Sequence, residues 1–149
     1  MNEEEVTEQL KREFPGGVSD FSVPRSRVVR FSVDRDRLRE VCAHLKKELG
    51  FEHISLISAL DWRDHFECVY HITSYSSKLV AEIHTKIPRE DPKVDSVTPV
   101  WQGANYHERE AYDMMGIVFD GHPKLKRILL PEDVTFYPLR KDFKEEAEE

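Results

Sequence analysis

The chain has 149 residues, with 29 Asp+Glu against 22 Lys+Arg and a formal net charge of −7. An acidic balance argues against a stand-alone nucleic-acid binder, which carries a basic excess toward the phosphates. The length suits one domain, able to bury roughly 70% of the surface its unfolded chain exposes. The longest stretch free of Asp, Glu, Lys and Arg runs only from Ser96 to His107, well short of the ~20 apolar residues a membrane-spanning helix needs. Met1–Glu5 is acidic and lacks an apolar run, so no secretory signal is expected. The two cysteines, Cys42 and Cys68, form no C-x-x-C pair and are too few for an iron–sulfur cluster. Each sits in an apolar pattern and is expected as a small buried hydrophobe, which fits a cytoplasmic compartment. The glycines form neither a dinucleotide fingerprint nor a phosphate-binding loop, so no nucleotide or redox cofactor is expected on this chain.

In chain order, Val6, Leu10 and Phe14 lie four apart and predict a helix over Glu3–Phe14, stopped by Pro15-Gly16-Gly17. Arg25–Val33 alternates around Val29, Phe31 and Val33 and reads as one half-buried strand. The clearest helix follows, with Asp34 as N-cap, an apolar stripe of Leu38, Val41, Cys42, Leu45 and Leu49, and Gly50 as the left-handed stop. The six arginines between Arg25 and Arg39 are interleaved with acids and lack stacking aromatics beyond Phe31, so they read as a solvated or partner-facing surface. The period then changes to two. Ile54–Leu60, Phe66–Tyr75 and Leu79–Ile87 are strand candidates joined by turns short enough only for antiparallel hairpins. His71 and His84 are placed to face each other across them, though a lone strand histidine is more often structural than a ligand.

Pro88–Pro99 reads as a loop, with Thr98-Pro99 as one helix start. Asn105 with Glu108 three residues on predicts a second start through a capping box, and the helix Tyr106–Met115 closes on Gly116. The order α-β-α-β-β-β and then helix predicts an α+β two-layer sandwich, helices on one face of a mostly antiparallel sheet. Residues 1–121 would form this domain and 122–149 an extended C-terminal tail. From Ile117 to Phe143 the chain is rich in apolar side chains, yet Pro123, Pro131 and Pro138 forbid a long helix. Such a segment is too hydrophobic for a solvated tail. It either wraps back over the domain or lies in a groove on another protein, and the entropy of ordering it favours a partner. Lys144–Glu149, with four Glu, reads as a free end.

The run from Glu108-Arg109-Glu110 through Asp113-Met114-Met115-Gly116 to His122-Pro123 and Lys126-Arg127-Ile128 resembles the signature of the 30 kDa subunit family of respiratory complex I, the NADH:quinone oxidoreductase. Related subunits of membrane-bound hydrogenases and archaeal ion-pumping oxidoreductases share it. Pro131-Glu132-Asp133 and Pro138-Leu139-Arg140-Lys141-Asp142-Phe143 resemble its continuation, and Ser96-Val97-Thr98 with Trp101 and Asn105 matches upstream. The sequence departs from that pattern at Val134, where the family often has Trp, and in its acidic end after Phe143.

The resemblance implies a non-catalytic scaffold subunit in the extramembrane arm of a complex I-like oxidoreductase, of the NADH dehydrogenase, reduced-deazaflavin dehydrogenase or ferredoxin-dependent hydrogenase type. It implies no cofactor on this chain and iron–sulfur clusters on its partners. Those would be a large catalytic subunit, of the quinone-site or hydrogenase-like kind, and an iron–sulfur small subunit, with no nucleic acid. It places the chain at the cytoplasmic face of the cell membrane, peripheral and bound only through partners. Glu108, Arg109, Glu110, Asp113, Gly116, His122, Pro123 and Arg127 are the expected interface residues on the helix and the segment after it. Leu130, Pro131, Glu132, Asp133, Pro138, Leu139, Arg140, Lys141, Asp142 and Phe143 continue the interface along the tail. On the residues alone, Arg109 and Asp113 form an i,i+4 pair of a few tenths of a kcal/mol. H-E-x-x-H is absent and no third ligand joins His107, Glu108 and His122, so no metal site is expected. No nucleophile–base signature marks a hydrolase. A generic adaptor without a redox role is the alternative.

Overall fold

The computed structural model describes residues 1–143. Helix α1 spans Glu3–Glu13; the Asn2 side chain accepts from the Glu5 N–H at 2.9 Å, and Val6 and Leu10 are buried beneath it. The strand read over Arg25–Val33 is β2, Val28–Val33; it forms a hairpin with a strand the sequence pattern does not show, β1 Val18–Arg25, the chain reversing through Arg27 at φ +69°. Strand β1 shows no alternation because most of it is exposed and its pairing slips register between Ser19 and Ser22 and again before Arg25.

Helix α2 covers Leu38–Leu49 and buries Leu38, Val41, Cys42, Leu45 and Leu49. Gly50 ends it at φ +72°, the left-handed position a Cβ disfavours. Asp34 does not cap it: a 3₁₀ turn, Arg35–Arg37, intervenes, and the Asp34 side chain makes no capping bond. Strands β3 His53–Asp61, β4 His65–Ser74 and β5 Leu79–Pro88 pair antiparallel as expected.

The five strands lie in the order β1-β2-β5-β4-β3, with β2 and β5 parallel and every other neighbour antiparallel. Helices α1 and α2 and the later α3, Ala104–Met115, share one core with the sheet's inner side chains, including Phe31, Phe66, Tyr70, Ile72 and Ile83. This is the expected α+β sandwich. Outward positions on the central strands carry a polar network instead. His71 and His84 do not pair with each other; they flank Glu82, at 3.3 and 3.4 Å, which Arg30 also binds.

The stretch read as loop over Pro88–Pro99 contains β6, Lys93–Asp95, which pairs parallel with β7, Val118–Asp120, placing Val94 opposite Phe119. Thr98-Pro99 starts no helix, since α3 begins at Ala104 with Gly103 before it. Four of the arginines are internal ties: Arg27 binds Glu3, Arg30 binds Glu82, Arg35 binds Asp91, and Arg39 donates to the Ser96 and Asp120 carbonyls. Cys42 and Cys68 are free and buried, and burial pushes both thiols well up. No helix among the described residues is long and apolar enough to cross a membrane.

Candidate docking surface

The motif residues of α3 work in two directions. Glu108 points inward and is fully buried. Its carboxylate accepts from Ser96 Oγ at 2.6 Å and the Val97 N–H at 2.8 Å, not from the helix start, so the capping box does not form. Asp113, one turn on, is also fully buried. It takes Arg127 Nη1 at 2.8 Å and three successive backbone N–H groups, from Ile128, Leu129 and Leu130, at 3.1, 2.6 and 3.0 Å.

Burial alone would raise the Asp113 carboxyl. Arg127 and the three amides outweigh it and hold the group below the ordinary range. The i,i+4 pair with Arg109 is not made, because Arg127 outcompetes it from across the turn. Arg109 instead donates to the Lys126 and Arg127 carbonyls, at 3.1 and 3.2 Å.

These contacts start a series of pins that fix the segment after β7. Arg127 also reaches the Phe136 carbonyl at 2.8 Å and lies over the Tyr137 ring, 4.8 Å from its centroid. Arg140 donates to the Met115 carbonyl at 2.7 Å, between the Phe66 and Tyr137 rings. The Leu139 N–H meets the Met114 carbonyl at 3.1 Å. At the far end of β3, Asp61 accepts from the Lys141 N–H at 2.8 Å and from Arg89, which also reaches Asp142 at 3.2 Å. The Arg89 hydrogen bonds hold the Asp61 carboxyl far below the usual carboxylate range despite its burial. His122 Nδ1 accepts from the Lys124 N–H at 2.9 Å, so its Nε2 carries the proton and donates to the Asn105 carbonyl.

Gly116 closes α3 at φ +75°, and no Cβ fits there: it would lie 2.6 Å from Arg140 Nη2 and 2.8 Å from the Tyr137 ring. The glycine that ends the helix is therefore also the seat of the tail.

Arg127, Arg140 and several backbone groups of 122–143 thus bind this chain, while some of the segment's apolar side chains face away. Leu129, Phe136 and Leu139 are 62%, 46% and 59% exposed. Glu110, Pro123, Pro131, Glu132, Asp133, Lys141 and Asp142 are exposed or half-exposed around them; Leu130, Pro138 and Phe143 are half-buried. Sequence reasoning does not single out Leu129, Phe136, Asp61 or Arg89. The first two stand unmarked in the apolar run, while nothing in the primary structure links Asp61 to a tail residue 80 positions later. Lys144–Glu149 lies outside the described residues. Among the described residues no three His, Cys, Asp or Glu side chains are gathered to hold a metal.

A family model for the respiratory-chain NADH dehydrogenase 30 kDa subunit matches residues 31–149. The chain belongs to that family. It is 39% identical over 146 residues to a subunit of the F(420)H(2) dehydrogenase of Methanosarcina mazei, covering 96% of this chain and 92% of the relative. It is 38% identical over 144 residues to a subunit of the NADH-quinone oxidoreductase of Moorella thermoacetica, covering 95% of each.

The fold is similar to that of a chain in the membrane-bound sulfane sulfur reductase, an archaeal respiratory membrane complex. That likeness has a TM-score of 0.83 and 29% identity, and it covers 95% of this chain and 85% of the other. It is also similar to a trypsin-resistant fragment of Nqo5, with a TM-score of 0.73 and 31% identity, covering 84% of this chain and all of the fragment. Among the residues that resemble the family signature, Glu108 and Asp113 are buried and hydrogen-bonded within the chain, and Glu110, Pro123, Pro131, Glu132, Asp133, Leu139, Lys141 and Asp142 are exposed.

Proposed function

We propose that this 30 kDa family member is a non-catalytic scaffold subunit in the extramembrane arm of a complex I-like, ion-translocating oxidoreductase. The outward face of residues 122–143 docks on the large catalytic subunit, beside the iron–sulfur small subunit, at the cytoplasmic face of the membrane. The redox groups belong to those partners.

One observation carries the reading: the tail is held by polar bonds directed inward and presents Leu129, Phe136 and Leu139 to the outside. Three exposed apolar side chains held on one pinned strap offer a partner fixed points of contact. On a partner they become the anchors that dominate binding, and the surrounding Glu132, Asp133, Lys141 and Asp142 set register and encounter rate. The Methanosarcina mazei relative favours a reduced deazaflavin as the electron donor of the whole complex.

Purification of the tagged full chain from its native membranes tests the proposal. It is expected to bring down iron–sulfur and membrane subunits in fixed ratio. Recovery of the chain with proteins that hold no redox group would overturn it and favour an adaptor.

A further inference from the structure

Among the described residues four carboxylates are buried: Asp61, Glu82, Glu108 and Asp113. Three are paired with arginine, namely Arg89, Arg30 and Arg127. Glu108 touches no cation. Arg39, the cation of α2 that faces it, is spent on the Ser96 and Asp120 carbonyls, each at 2.9 Å. The other titratable groups facing Glu108 are Cys42 on α2 and Cys68 and Tyr70 on β4, all fully buried, and the Tyr70 hydroxyl has no hydrogen-bond partner among the described residues. A carboxylate in such surroundings is costly while charged, and taking up a proton relieves it.

The contacts also supply a route. Ser96 Oγ lies 2.6 Å from Glu108 Oε1 and 2.8 Å from Thr98 Oγ1, and Thr98 is half-buried at the surface. When Glu108 is charged, the Ser96 hydroxyl donates to it and the Val97 N–H donates to the second oxygen. When Glu108 is neutral, its own O–H donates to Ser96 Oγ, and the Ser96 proton turns to Thr98 Oγ1. Both states leave every member of the chain bonded.

We infer that Glu108 is a reversible proton-binding site of the folded subunit, reached from solvent through the hydroxyls of Ser96 and Thr98. Burial pushes its carboxyl up to about 7, against the opposing pull of Ser96, Val97 and Arg39, so uptake falls near neutrality. The folded state then binds the proton more tightly than the unfolded chain does. The stabilisation is complete below the ordinary glutamate value and is lost as pH rises through about 7. The loop it bears on is tied to β7 by the Ser96 N–H to Asp120 carbonyl bond at 2.8 Å, so the protonation state acts where the tail begins.

Carbon-13 NMR of the Glu108 carboxyl, assigned through bonds in the full chain, tests this. The titration midpoint is expected near 7, and Ser96→Ala is expected to raise it by about one unit, because the charged form loses a donor. Thr98→Val is expected to leave the midpoint in place but slow exchange between the two forms. Glu108→Gln, a mimic of the neutral acid, is expected to melt higher than the parent at pH 8 and level with it at pH 5. A midpoint in the ordinary 4–5 range, or melting differences that do not change with pH, would overturn the site. An unchanged exchange rate in Thr98→Val would overturn the route.

Discussion

Asp113→Ala is expected to release the tail and to cost about 3–5 kcal/mol, the usual loss when one partner of a buried ion pair is removed. The size follows from what remains. Arg127 keeps its charge among Tyr137 and the Phe136 carbonyl, and three consecutive amides, 128 to 130, lose their shared acceptor. The unfavourable contacts are relieved when the segment lifts away and those groups return to water, so the loss appears first as local opening. Hydrogen exchange is therefore the proper readout: the amides of Ile128, Leu129 and Leu130 lose protection, and the melting temperature falls by roughly 10 °C. Protected amides and a melt like the parent's would show that Asp113 is not the clamp.

Gly116→Val is expected to have the second largest effect, because two penalties act at one atom. A β-branched residue at φ +75° is strained by about 1–3 kcal/mol. Its Cβ also collides with the Tyr137 ring at 2.8–2.9 Å and with Arg140 Nη2 at 2.6 Å. Arg140 is long enough to swing aside, but doing so gives up its bond to the Met115 carbonyl. Tyr137 is a rigid ring under Arg127 and has less freedom to yield. Gly116→Ala shares both penalties in smaller measure, so the two variants are expected to rank in that order by thermal melting. A valine variant that melts within about one degree of the parent would show that neither penalty operates at this glycine.

The parts of the fold legible in the primary structure are those set by local chemistry. The apolar stripe of α2, the left-handed glycines at 50 and 116, and the alternation of β3, β4 and β5 depend on neighbours within a few positions. Strand β1 is hidden because an exposed, register-slipped edge has no alternating pattern to show. Glu108 is more instructive. Its spacing from Asn105 satisfies a capping box, yet a glutamate goes where donors are unsatisfied, and the Ser96–Val97 turn, brought over α3 by the β6–β7 ladder, offers two. Asp113 repeats the lesson, since its partner stands 14 residues later rather than four earlier. Setting apolar burial against chain entropy for the tail omits these polar pins, which are nonlocal and invisible in any sequence window. They offset the cost of ordering 122–143 on this chain and leave Leu129, Phe136 and Leu139 exposed.

What the pinned tail presents is the outward face proposed above to bind a partner. Co-purification of the assembled complex with the double variant Leu129→Glu, Leu139→Glu tests it most directly, since both side chains are exposed and neither takes part in a pin through its side chain. The expected result is a chain that melts with the parent and keeps its amides at 128–130 protected, but no longer brings down the partner subunits. A variant that assembles at the parental yield would contradict the docking role of the tail.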